Sequence, residues 1–189
     1  AGGKSAIAET LVTLLGSERA SILALDTYYN DLSHLPMAAR ERHNFDRPQA
    51  LDIDLFVRHV ERLKRGRCIK QPIYDFTNHC RLKQTREVCP RSVLILEGLL
   101  IASDDRLDPL YDTLMFVDAP CTVRWSRRLE RDLKVRGRNE ASINAFWFNA
   151  EENFSEHGGS AFDKADFFVD GEKSLVENAS WILDFLALS

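Results

Sequence analysis

Along this chain, short and uniformly apolar runs alternate with longer segments whose apolar residues recur at helical spacing. "SILAL" (21–25), "SVLILEG" (92–98), "LMFVDA" (114–119) and "DFFVDG" (166–171) have strand length and no polar face, which predicts strands buried on both sides. Residues 5–15 read as a helix. "ALDIDLFVRHVERLKRG" (50–66) places Leu51, Leu55, Val60 and Leu63 near helical period and stops at Gly66. "CTVRWSRRLERDLKVRG" (121–137) reads as a long basic helix ending at Gly137, and "SLVENASWILDFLALS" (174–189) as a closing amphipathic helix. This alternation predicts an α/β fold, a parallel sheet with helices on both faces. "CIKQPIYDFTNHCRLKQTREVCP" (68–90) breaks the pattern and reads as a polar-tipped hairpin projecting from the sheet. No internal repeat or low-complexity linker divides residues 1–189, so one domain is expected, with the hairpin at 68–90 and a helical lid at 121–150 as subregions.

Open parallel sheets bind ligands at the carboxyl ends of their strands. Three strands reach that edge with an acid, Asp26, Glu97 and Asp118. The chain opens "AGGKSAIAETLVTLL", and Gly3-Lys4-Ser5 matches the end of the phosphate-binding motif G-x-x-x-x-G-K-[ST]. A bare G-K-S arises by chance in roughly one chain in ten of this size. The motif's first glycine and its strand would lie upstream, so the chain is expected to lack the central strand of its sheet. Opening a helix, Gly2, Gly3, Lys4, Ser5 and Ala6 form a candidate nucleotide-binding set, because backbone N–H groups and the helix dipole favour phosphate. Lys4 suits the β- and γ-phosphates and the Ser5 hydroxyl suits Mg²⁺; a solvated first turn is the plainer alternative.

Asp26, after an apolar strand, suits a proton acceptor for an attacking hydroxyl or a holder of magnesium-bound water. A turn or cap Asp is its alternative. Glu97 follows four apolar residues, which packing does not explain, and suits the outer shell of a nucleotide-bound metal ion. The basic helix offers Arg124, Arg127, Arg128 and Arg131, followed by Lys134, Arg136 and Arg138; phosphoryl transfer needs such cations, though Glu130 and Asp132 are placed to pair with some of them. Asp46 in "NFDRPQALD" suits vicinal sugar hydroxyls, or caps its turn. Tyr74, Phe76 and His79 on the hairpin make a slot for a planar base, or a small satellite cluster. Metal binding by the adjacent His79 and Cys80 is not expected.

Composition adds limits. A hydrophobic content of 44% and a charged content of 29% describe an ordinary globular chain, and the net charge of −4 (25 basic against 29 acidic residues) points away from nucleic acid and anionic membranes. No apolar run approaches the length of a membrane span. The four cysteines, Cys68, Cys80, Cys89 and Cys121, show no C-x-x-C pairing and read as reduced thiols of a cytosolic protein, with a zinc site or a disulfide as the alternatives.

Taken in order, Gly-Lys-Ser, "LDTYYNDLSHLP", "NFDRPQALD", "PIYDFTNHCR", "LILEGLL", "FVDAP" and "RRLERDLKVRGR" resemble the uridine kinase family over roughly residues 1–140. The resemblance implies a P-loop NTPase-like fold and transfer of the ATP γ-phosphate to the 5′-hydroxyl of uridine or cytidine, with Mg²⁺. It implies Asp26 as catalytic base, assisted by Lys4 and Arg131, and Ser5, Asp26 and Glu97 at the metal. Asp46 and Arg128 match ribose-holding positions; Tyr74, Phe76 and His79 match the pyrimidine slot; Arg138 matches a substrate-side lid arginine. A homotetramer regulated by pyrimidine triphosphates is also implied. The pattern departs where the family has Gln-Tyr and this chain has Phe146-Trp147, and again in "AEENFSEHGGSAFDKAD", which leaves substrate identity less secure than reaction type. Two rivals stand beside this reading: a kinase of the same fold acting on a sugar phosphate, as a phosphoribulokinase does, and a catalytically silent nucleotide-binding relative.

Overall fold

The computed structural model describes residues 1–134, 139–154 and 159–188. Helix α1 (Lys4–Leu15) starts directly after Gly3, which adopts φ 109°, a left-handed conformation that glycine tolerates best. β1 (Ala20–Ala24) follows, then a 3₁₀ turn over Leu25–Tyr28 and the single-turn α2 (Met37–Arg40). α3 (Ile53–Lys64) is capped by Asp52, whose side chain accepts from the Leu55 N–H, and buries Ile53, Phe56, Val60 and Leu63. Next come β2 (Ile69–Asp75), β3 (Cys80–Val88), β4 (Val93–Glu97) and β5 (Met115–Asp118). The chain closes with α4 (Cys121–Lys134), α5 (Glu140–Asn153), α6 (Gly159–Lys164), β6 (Phe167–Asp170) and α7 (Leu175–Phe185).

The expected strands all form, and those of the core pair in parallel: β1 with β4 (Ala20 opposite Val93 through Ala24 opposite Glu97) and β5 with β6 (Met115 opposite Phe167 through Asp118 opposite Asp170). The two pairs are separate, two-stranded sheets rather than one continuous sheet. A cavity of about 660 Å³ borders both β4 and β5; the inner face of α1 (Ile7, Leu11, Leu15) lines it, with Ile182 and Leu183 of α7. β4, read from sequence as a fully buried strand, is therefore only half-buried at every position.

One apolar cluster packs α3 and the hairpin base against the inner side of β1 and β4, around Leu23, Leu25, Tyr28, Phe56 and Val60. A second packs α1 on α7 through Ile7, Leu11, Ala179 and Ile182, with Val169 of β6.

The hairpin forms as β2 antiparallel to β3, with a register shift between Pro72 and Tyr74. Its cysteines correct the reduced-thiol expectation. Cys68 and Cys89 stand just outside the Ile69–Val88 pair and are joined by a disulfide, while Cys80 and Cys121 are free thiols. Pairing of the flanking strands brings the two sulfurs together, so no short-range spacing was needed. No helix among the described residues is long and apolar enough to cross a membrane.

Candidate active site

Three elements converge at the carboxyl edge of β1 and β4. The opening residues supply Gly2 and Gly3 and, on the first turn of α1, Lys4, Ser5 and Ala6. Gly2 lies beside the end of β5, where a Cβ would sit 3.1 Å from the Val117 carbonyl oxygen. The end of β4 supplies Glu97. The Ser5 hydroxyl donates to Glu97 Oε2 at 3.1 Å, and Lys4 Nζ lies 3.8 Å from the same oxygen. Burial pushes the Glu97 carboxyl above the usual range; Lys4 pulls it down, Asp26 pushes it further up, and the Ser5 hydrogen bond lowers it. That Asp26 acts on Glu97 puts the two acids at one site, as the strand-end argument expected.

Asp26 sits in the 3₁₀ turn after β1, between Leu25 and Tyr28, both fully buried. These two side chains clamp the turn, and Gly98 closes against it, since a Cβ there would come 2.6 Å from Leu25 Cβ. The Asp26 carboxylate itself is half-buried. Asp118, the third strand-end acid, is exposed; its backbone oxygen accepts from the Gly171 N–H.

The hairpin docks over this turn. Arg81, which spacing alone did not single out, donates from Nε to the Tyr29 carbonyl and from Nη2 to the Tyr28 carbonyl, both at 2.7 Å, and its Nη1 pairs with Asp52 at 3.1 Å. The three predicted hairpin residues come together with two others. Tyr74 packs on Phe76 (centroids 5.3 Å) and on Tyr29 (5.4 Å), and His79 stacks on Phe45 at 5.0 Å with planes 18° apart. The buried Tyr74 hydroxyl has no hydrogen-bond partner among the described residues, and burial raises its pKa. An orphaned donor in an aromatic slot is a place for a ligand's polar edge. Asp46, in the loop that carries Phe45, has its backbone N–H held by Asn44 Oδ1 at 3.0 Å. That loop is fastened to α5 by the buried Asn153, whose Oδ1 accepts from Asn44 Nδ2 (3.1 Å) and Arg47 Nε (3.2 Å).

Helix α4 turns its arginines toward the opening residues. Arg127 Nη1 donates to the Gly2 carbonyl at 3.2 Å. Asp132, fully buried, anchors this face: Arg131 reaches its Oδ1 from Nε and Nη2 at 2.8 and 2.7 Å, and Arg128 Nε lies 3.7 Å from Oδ2. Glu130 pairs outward with Lys134 at 2.7 Å. Trp147 lies under Arg124 and Arg128, at 5.6 and 6.0 Å, and packs edge-on against Trp125. Arg124 is also paired with Glu151. Arg136 and Arg138 lie outside the described residues.

Chemically, the site offers a cation and N–H groups for phosphate, one hydroxyl and two carboxylates, an arginine-bearing helix and an aromatic slot. Among the described residues, no group of three or more His, Cys, Asp or Glu side chains is arranged to hold a metal ion. Magnesium does not need one, since it binds through one or two protein oxygens, substrate phosphates and water.

The uridine kinase of Haemophilus influenzae is 40% identical over 147 residues, covering 76% of this chain and 69% of that protein. The uridine kinase of Clostridium perfringens is 42% identical over 141 residues, covering 75% and 68%. The D-glycerate 3-kinase of Cryptococcus neoformans superposes with a TM-score of 0.63 at 18% identity, covering 92% of this chain and 83% of that one, and so shares its fold. The model of the phosphoribulokinase/uridine kinase family matches residues 1–174, and the chain belongs to that family as a P-loop phosphotransferase of uridine kinase-like type.

Proposed function

We propose that the protein transfers the γ-phosphate of ATP to the 5′-hydroxyl of uridine or cytidine. The observation that carries this reading is the convergence of Lys4, Ser5, Asp26 and Glu97 at one strand edge, with the hairpin bearing Tyr74, Phe76 and His79 anchored directly over the Asp26 turn. The N–H groups of Gly2 through Ala6 and the Lys4 ammonium hold the nucleotide phosphates. Asp26 accepts the proton of the attacking 5′-hydroxyl. Arg131, fixed by Asp132, neutralises charge on the transferring group. The nucleoside lies between Asp46, Arg128 and the hairpin, its base against Tyr74, Phe76 and His79; a substrate-binding role for Arg138 rests on the family resemblance alone. Ser5, Asp26 and Glu97 are hard oxygen donors suited to Mg²⁺, which when bound supplies charge neutralisation on the phosphates.

The slot between β4 and β5 belongs to the same reading. Its lining is mainly apolar, it is bordered by one strand of each parallel pair, and Lys4 and Glu97 are among its walls. We read it as the seat of a further parallel strand leading into the phosphate loop. The likeness to the uridine kinases supports a homo-oligomeric enzyme of pyrimidine salvage. Disulfides are uncommon in the cytosol, so a cytoplasmic placement rests on that likeness alone.

The test is ADP release from ATP and Mg²⁺ in the presence of uridine, cytidine, a purine nucleoside or ribulose 5-phosphate. Turnover confined to the pyrimidine nucleosides is expected. Turnover with the sugar phosphate alone would move the substrate, and ATP binding without turnover on any acceptor would favour a silent nucleotide-binding protein.

A further inference from the structure

A buried amide connects the hairpin to the turn that carries Asp26. Gln71 is 1% exposed, in β2 between the buried Ile69 and Pro72. It stands directly opposite Arg86 of β3. Arg86 donates to Gln71 Oε1 from Nη2 at 2.6 Å and from Nε at 3.2 Å. Gln71 Nε2 donates to Thr27 Oγ1 at 2.9 Å, and the Thr27 hydroxyl donates to the Ala24 carbonyl at 2.8 Å.

The direction of this chain is forced. A guanidinium carries only donors, so the amide must present its oxygen to Arg86 and its NH₂ to Thr27. Thr27 then has its own hydrogen left for Ala24. Every group along the line is matched, and a charge-assisted bond at its head polarises the rest. The last two links straddle the residue of interest: Ala24 ends β1, Thr27 lies in the 3₁₀ turn, and Asp26 stands between them.

We propose that Gln71 is a positioning residue that fixes the Asp26 turn through Thr27, coupling the substrate hairpin to the catalytic base. The inference rests on the proposed role of Asp26. Misplacing a reacting group by about 1 Å can cost on the order of a hundredfold in rate, and a partly restrained turn should cost less.

The test compares Gln71→Glu, Thr27→Val, Thr27→Ser and the Gln71→Glu/Thr27→Val double variant in steady-state kinetics with uridine and ATP. Gln71→Glu keeps an acceptor for Arg86 but removes the donor to Thr27. Gln71→Glu and Thr27→Val should each lower kcat about tenfold while the KM for ATP stays within about twofold. Thr27→Ser, which keeps the hydroxyl, should recover most of the loss. The double variant should be no slower than the slower single variant, because both cut one connection. Unchanged kcat in both single variants, or losses that multiply to about a hundredfold in the double, would overturn the proposal. Asp26→Asn serves as the reference. If it is inactive while Gln71→Glu turns over normally, only the positioning role fails; if it is fully active, the base assignment fails and the positioning role with it. Circular dichroism melting of each variant separates loss of fold from loss of alignment.

Discussion

Asp132→Ala takes one carboxylate out of α4 and leaves two guanidinium groups facing the space it filled. The cost can be built from their exposures. The Arg131 side chain is 39% exposed, so it swings into water and its lost pairing counts as that of a surface ion pair, at most about 1 kcal/mol. The Arg128 side chain is 13% exposed, packed over the Trp147 ring, and it loses a carboxylate that is itself fully buried. Removing one partner of a buried pair costs about 3–5 kcal/mol; the 3.7 Å separation argues for the lower end. A total near 3 kcal/mol in a domain of this size lowers Tm by about 6–12 °C. Thermal unfolding followed by circular dichroism measures it. Glu130→Ala is the control, because that pair with Lys134 is solvent-exposed and its removal should leave Tm where it was. Asp132→Asn, which keeps one acceptor, should fall between the two. A Tm drop below about 2 °C for Asp132→Ala would refute the claim that this carboxylate holds the arginine face together.

Glu97→Gln should raise Tm while abolishing most kinase activity. Burial raises the folded-state pKa of Glu97 above its unfolded value, so this group's contribution to stability is present below the unfolded pKa and is lost as pH rises through the folded one. The Tm gain of the variant should therefore be largest at neutral to alkaline pH and vanish below the ordinary glutamate range near about 4.3; a gain independent of pH would contradict it. Tyr74→Phe removes a buried hydroxyl without a partner among the described residues, so it should hold or raise Tm while increasing the KM for the nucleoside and leaving that for ATP unchanged. Gly98→Ala drives a methyl group to 2.6 Å from Leu25 Cβ and should cost about 1–3 kcal/mol in urea unfolding, with a kcat loss because Leu25 adjoins Asp26.

Much of the fold was readable because the parallel strands are written as uninterrupted apolar runs, although β4, β5 and β6 are less buried than those runs predict. Each of the four forms within a residue or two of its expected bounds. The hairpin was readable for the opposite reason, as the one stretch where that rhythm fails. Its disulfide was not read, although the signal was present: once 68–90 is taken as a hairpin, Cys68 and Cys89 end its two strands and face each other. The half-buried state of β4 was not legible either, since a strand's apolar sequence reports the burial it suits and not whether its neighbour strand is beside it.

The site divides along the same line. Residues at strand ends or beside glycine were singled out from the chain alone, because position in a βα unit dictates where they point. That covers Lys4, Ser5, Asp26 and Glu97. Residues that brace the site from a distance were missed: Gln71, Arg81 and Asn153 act across 44 to 109 residues of sequence. A buried glutamine inside an apolar strand face was nonetheless a signal. An amide buried between Ile69 and Pro72 has no packing rationale, and burying it without partners would cost about 1–3 kcal/mol. Such a residue demands a donor and an acceptor nearby. Here they are Arg86 on the neighbouring strand and Thr27 beside the acid, which ties the precision of the chemistry to the strand that receives the substrate.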